Sequence, residues 1–163
     1  MTLFRRKRRN VTFDTNVLLE FVLSKKEDSV IRKAIAKAVE KDRLMLTDVI
    51  LDEAMAYEQK DRTGKYDAET IRARLTGIAG DPIVISPIPD ILDLKKMFEI
   101  DDEDDLKILW SAQMTNSVII VTSDRHYFHV SGVRARILRP DEYLYEEDFP
   151  EDYTRNKGRE GRP

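Results

Sequence analysis

Val11-Thr12-Phe13-Asp14-Thr15-Asn16-Val17-Leu18-Leu19 is the stretch on which the fold turns. Residues 11–13 favour a strand. The chain then passes through Asp-Thr-Asn into a helical pattern carried by Val17, Leu18, Leu19, Phe21 and Val22. This reads as a short buried strand running directly into a helix, with Thr15 or Asn16 placed to cap it.

The same change of period recurs downstream. Residues 44–46, 83–85, 118–121 and 134–138 read as strands, and residues 28–40, 47–59, 67–78, 90–98 and 106–114 as helices. Thr47 is placed as a cap, and Ile50, Leu51, Ala54 and Tyr57 share the inward face of their helix. Val118-Ile119-Ile120-Val121 is β-branched throughout, the composition of a strand buried on both faces. Strands alternating with helices imply an α/β protein with a mostly parallel sheet covered on both sides. In such sheets ligands bind beyond the carboxyl ends of the strands. Asp14 and Asp124 follow two of the predicted strands, which places two carboxylates on one edge of the sheet.

The chain has 163 residues, which suits one domain with a real core. Charged residues make up 36%, against about 25% in an average globular protein, and read as a solvated, ion-paired surface. Cysteine is absent, so any metal must be held by oxygen or by the two histidines. His126 and His129 flank Tyr127 and Phe128 and lack zinc-finger spacing; they read as loop or core residues.

No apolar run approaches the roughly 18 residues of a membrane span. The basic start, with Arg5, Arg6, Lys7, Arg8 and Arg9, is followed by no secretion segment. A cytoplasmic protein without membrane contact is expected. Residues 1–8 read as a basic segment, 9–145 as the domain and 146–163 as a charged, mobile tail. The net charge of −3 argues against broad electrostatic attraction to nucleic acid, but it allows a basic rim around an acidic centre.

Four acids carry the chemistry. Asp14 ends the first strand; with Thr15 and Asn16 available as caps, its carboxylate is left for other work. Glu53 lies more than a turn into its helix, bordering the buried stripe, while Asp52 points away to the surface. Asp105 closes the run Asp101-Asp102-Glu103-Asp104-Asp105 at a helix start, where the helix dipole favours acids. Five acids exceed what capping needs, and Asp105 is the one beside the buried face, with Asp101, Asp102 and Asp104 as alternates. Asp124 follows the clearest strand. Carboxylates repel, so gathering them is costly unless a cation sits between them.

Together these motifs resemble the PIN-domain family of metal-dependent ribonucleases over roughly residues 9–145. The family's opening strand ends in Asp followed by Thr or Ser and Asn, as at Asp14-Thr15-Asn16. Its second acid is matched by Glu53 in Thr47-Asp48-Val49-Ile50-Leu51-Asp52-Glu53, its third by Asp105 ahead of Leu106 and its fourth by Asp124 in Val121-Thr122-Ser123-Asp124.

The resemblance implies a three-layer α/β/α sandwich with a sheet of four to five strands, frequently a homodimer. It also implies RNA hydrolysis with Mg²⁺ or Mn²⁺ held by Asp14, Glu53, Asp105 and Asp124. Asn16, Thr122 and Ser123 are then candidates for orienting those carboxylates or a water. Arg5, Arg6, Arg8, Arg9, Arg125, Lys25 and Lys26 are candidates for phosphate contacts. Many small members are toxins of toxin–antitoxin pairs (the VapC-like group), so an antitoxin partner is implied by analogy; others process ribosomal RNA. An aspartyl-nucleophile phosphatase is disfavoured, because Asn16 stands where a second Asp is commonly wanted. A PIN-like scaffold that binds RNA or protein without cleaving is the alternative.

Overall fold

In the computed structural model, residues 7–26, 28–100, 102–124 and 132–146 are described. Four strands form one all-parallel sheet in the order β2-β1-β3-β4: β1 (Asn10–Phe13), β2 (Arg43–Met45), β3 (Ile119–Val121) and β4 (Arg136–Leu138). Seven α-helices accompany them among the described residues: α1 (Thr15–Leu23), α2 (Val30–Lys41), α3 (Asp48–Met55), α4 (Ala68–Ala79), α5 (Ile91–Phe98), α6 (Glu103–Met114) and α7 (Pro140–Leu144). A 3₁₀ turn, Ala56–Gln59, extends α3.

Successive side chains of a strand point to opposite faces. Val11, Thr12 and Phe13 are each wholly buried, as are Ile119, Ile120 and Val121. Both faces of the central strands are therefore covered, and the architecture is the three-layer α/β sandwich. From β1 the chain crosses to β2 on one side, then through α3 to α6 and back to β3 on the other. Strand order thus reverses beside β1, at its carboxyl end, where open α/β sheets build their sites. The parallel register sets Phe13 against Val121, so Asp14 and Thr122 emerge side by side; the Asp14 amide donates to the Val121 carbonyl at 2.8 Å.

Local signals explain most of the helix starts. Ser29, Thr47, Asp67 and Asp90 each accept a backbone N–H from their own first turn. Thr47 also shares a 2.9 Å hydroxyl–hydroxyl hydrogen bond with Ser111, which pins the start of α3 to the middle of α6.

The structure departs from the sequence reading at several points. Residues 83–85 form no strand: only Ile83 makes a single bridge, to Thr47, and Val84 is 74% exposed. Pro82 and Pro87 bracket the segment. The Asp48 carboxylate takes the Ile85 N–H at 2.9 Å, withdrawing it from any ladder, and also the Ser86 hydroxyl at 2.5 Å. Val118 lies outside β3 and is half exposed. Neither Thr15 nor Asn16 caps α1; Asp14 occupies the cap position without a side-chain cap bond.

Helix α7 is an addition to the helices read from sequence, although Pro140 at its first position and the acids Asp141 and Glu142 in its first turn are start signals. Its Glu142 carboxylate accepts the Arg139 N–H at 3.0 Å. Glu146, the first residue of the expected tail, is buried against Arg9, Lys37 and Arg136.

Candidate metal centre

The acids meet in an open cleft of about 1110 Å³ at the carboxyl edge of the sheet. Asp14, Glu53, Asp104, Asp105 and Asp124 line it, together with Glu20, Asp52 and Asp102. Only two lysines, Lys60 and Lys107, line the same cleft among the described residues. Four elements thus deliver carboxylates to one place: the end of β1, the body of α3, the first turn of α6 and the turn after β3.

Asp14 is the most firmly held. It is 5% exposed, and its Oδ2 accepts the Thr122 hydroxyl at 2.9 Å. The Thr122 oxygen in turn accepts the Asp124 N–H at 3.0 Å. One threonine therefore holds the carboxylate of Asp14 and the backbone of Asp124. Burial holds the Asp14 carboxyl above its ordinary range; the Thr122 hydrogen bond opposes the rise and the Asp124 charge reinforces it.

Glu53 is perturbed further. Burial, then the charges of Asp104 and Asp14, push it from 4.5 up to about 7, while the Thr15 hydroxyl and Lys107 pull the other way. Its Oε2 is buried with no hydrogen-bond partner among the described residues. A buried acceptor without a donor is costly, and a cation would satisfy it.

The acidic run resolves into separate roles. Asp102 caps α6, its Oδ1 taking the Asp104 and Asp105 N–H groups at 2.9 and 3.2 Å. Asp104 is exposed, lies 3.8 Å from the Lys107 ammonium and is the acid whose charge acts most on Glu53. Asp105 is 8% exposed. Asp101 lies outside the described residues. Asp104 and Asp105 both remain placed to serve as the third acid.

Of the candidate orienting groups, Thr122 holds Asp14, and Asn16 is exposed on the cleft wall. Ser123 is exposed and does not line the cleft. Arg5, Arg6, Arg125, His126 and His129 lie outside the described residues.

Arg8 and Arg9 stand at the opposite, amino-terminal edge of the sheet. The Arg8 guanidinium donates to the Val39 and Asp42 carbonyls. The Arg9 guanidinium donates to Asp42 at 3.1 Å and to Glu146 at 2.6 Å. Arg9 thus serves a buried ion network far from the cleft, for a physical reason the sequence hid: its partners are 33 and 137 positions away.

The donor set fits a hard divalent cation. It is carboxylate oxygen throughout, the class chosen by Mg²⁺ and Mn²⁺, and two of its members, Asp14 and Glu53, hold their protons more tightly than usual because they are buried and face other carboxylates. In their present rotamers no three described carboxylates converge closely enough to enclose an ion, so side-chain rotation would accompany binding.

The family model of the PIN domain matches residues 10–126, and the chain belongs to the PIN-domain family, a family of nucleases. The crystal structure of VapBC2 from Rickettsia felis, bound to a DNA fragment from their promoter, is similar in fold: TM-score 0.58 at 13% identity, covering 78% of this chain and 98% of that one. No curated protein sequence matches the chain.

Proposed function

We propose that the protein is a divalent-metal-dependent ribonuclease that hydrolyses phosphodiester bonds of single-stranded or structured RNA. The observation that carries this reading is the convergence of Asp14, Glu53, Asp104 or Asp105, and Asp124 from four elements on one open cleft. A site that only bound RNA or protein would have no use for buried, mutually repelling carboxylates, which disfavours the scaffold alternative.

Asp14, Glu53, Asp124 and one or both of the α6 acids would hold Mg²⁺ or Mn²⁺. Such an ion supplies Lewis acidity at the phosphate and a nucleophile at neutral pH. Thr122 keeps Asp14 and the Asp124 backbone in place, so the strand-end acids meet a substrate preorganised. Glu53 exchanges its proton near neutrality in the metal-free protein, which suits a group that must ionise as the site loads.

The fold shared with VapBC2 supports placing the protein in a toxin–antitoxin pair, with an antitoxin as partner; an RNA-processing role is the other member of this reading. Homodimer formation and a cytoplasmic location belong to the same proposal. No helix among the described residues is long and apolar enough to cross a membrane.

Cleavage of labelled single-stranded RNA with Mn²⁺ or Mg²⁺, beside a chelator control and Asp14→Asn protein, tests it. Metal-dependent cleavage that disappears in the variant is expected. Cleavage unchanged by Asp14→Asn would overturn the assignment.

A further inference from the structure

Resting on the ribonuclease reading, we propose that Lys25 and Lys65 form a phosphate-binding platform at the far end of the acidic cleft. There they would hold the backbone of a single-stranded RNA a few nucleotides from the carboxylates. A cleft lined by acids repels RNA, so affinity must come from cations elsewhere along the strand's path. Arg8 and Arg9 are engaged at the other edge of the sheet and do not supply it.

Helix α1 forms one wall of the cleft. Asp14 and Asn16 line its start, Leu19 and Glu20 its middle, and Leu23 and Ser24 its end. Ten residues at about 1.5 Å each put Ser24 about 15 Å from Asp14.

The carbonyls at that end are claimed by side chains. The Arg32 guanidinium donates to the Ser24 carbonyl at 2.6 Å and Arg74 to the Val22 carbonyl at 2.8 Å, while the Tyr66 hydroxyl donates to the Leu23 carbonyl at 3.4 Å. Arg74 and Tyr66 are thereby fixed by structural bonds.

Among the described residues Lys25 and Lys65 have no such work. Both are exposed; the Tyr66 hydroxyl on the Leu23 carbonyl sets Lys65 beside the end of α1, where Lys25 follows Ser24, and the two lysines act on each other electrostatically. The Lys65 ammonium stands 5.3 Å from the Tyr66 ring centroid and the Arg74 guanidinium 5.7 Å from the same centroid. Among the described residues no carboxylate pairs with either lysine. Lys25, Lys65 and Arg74 carry like charges that repel one another, and a phosphodiester seated between the lysines removes that repulsion. Lys60, also on the cleft wall, adds positive charge along that path.

The test uses Asp14→Asn protein, so that substrate survives, and fluorescence anisotropy with a labelled single-stranded RNA across a salt series. Each lysine withdrawn from a phosphate of a single strand lowers the slope of log K against log salt by about 0.7, which corresponds to about fivefold in affinity at 0.1 M salt. Adding Lys25→Ala and Lys65→Ala is expected to lower the slope by about 1.4 and weaken binding on the order of 25-fold. The pair Lys33→Ala and Lys41→Ala, exposed on α2, is expected to leave both quantities unchanged. If wild-type protein cleaves RNA but the Lys25/Lys65 variant binds with unaltered slope and affinity, the platform is refuted and the ribonuclease reading stands. If wild-type protein neither cleaves nor binds RNA, both fall together.

Discussion

The Thr122 hydroxyl donates to Asp14 Oδ2 at 2.9 Å across two adjacent strand ends and accepts the Asp124 N–H at 3.0 Å. Its side chain is wholly buried. Parallel pairing of β1 with β3 brings together residues 108 positions apart, and this hydrogen bond is what makes a site out of two separate motifs.

Replacing Thr122 with Val keeps the shape and removes both bonds. The variant should fold but be destabilised by about 1–3 kcal/mol, the cost of leaving a buried polar partner unsatisfied. Its Mn²⁺ affinity should fall about 10- to 100-fold, as when a ligand's supporting hydrogen bond is deleted. Thermal unfolding and calorimetry check the two effects separately.

Glu53 makes the metal-free protein pH-sensitive. Its carboxyl holds a proton up to about 7 when folded and releases it near the ordinary 4.5 when unfolded. Between those values the folded state binds more protons, so stability must fall as pH rises. Asp14, also raised, contributes in the same direction. Denaturant midpoints measured from pH 4.5 to 7.5 in chelator should decline across this window. Glu53→Gln should flatten the decline, and Mn²⁺ at pH 7.5 should reverse it. A midpoint that climbs with pH in the metal-free protein would contradict the burial argument.

The opposite edge of the sheet carries a separate, structural charge network. Asp42 is wholly buried and accepts from the Arg9 guanidinium at 3.1 Å and from the Tyr143 hydroxyl at 2.7 Å. The Tyr143 ring packs edge-on against Phe13 at 5.8 Å, beneath the Lys37 ammonium at 4.3 Å. Asp42→Ala should cost about 3–5 kcal/mol, because it leaves buried cationic and hydroxyl groups uncompensated. Mn²⁺ affinity of the folded fraction should be unchanged. A drop in metal affinity equal to that of Thr122→Val would show that the two edges are coupled.

Gly132 is held at φ +76°, and a Cβ there would lie 2.4 Å from the Met97 carbonyl oxygen at the end of α5. Gly132→Ala therefore meets backbone rather than a flexible side chain, on top of a left-handed conformation that disfavours it. A destabilisation of about 1–3 kcal/mol is expected, read from the shift in denaturant midpoint.

The legible parts of this protein are those fixed by local order. β1, β3 and α1 to α6 follow from apolar period, with Thr47 also legible as the cap of α3, and Asp14 and Asp124 from their place after strands. Glu53 is legible as an acid bordering a buried stripe. What sequence could not show depends on distant partners. Residues 83–85 look like a strand, but only Ile83 pairs, its N–H going to the Leu46 carbonyl, and Asp48 takes the Ile85 N–H. Arg9 looks like a phosphate-binding residue in a basic run until Asp42 and Glu146 are folded against it. The choice between Asp104 and Asp105 turns on side-chain direction in one helical turn, which spacing alone does not decide. Lys65 belongs beside Lys25 only because the turn closed by the Asp61 carboxylate, which accepts the Tyr66 N–H at 2.7 Å, folds back beside the end of α1.

Calorimetric titration of Mn²⁺ into metal-free wild-type and Asp14→Asn protein at pH 7.5 tests the central claim most directly. The four-element carboxylate site predicts saturable binding with proton release in the wild type, weakened at least about tenfold in a variant that keeps its fold. Absent binding in folded wild-type protein, or equal binding in both proteins, would contradict it.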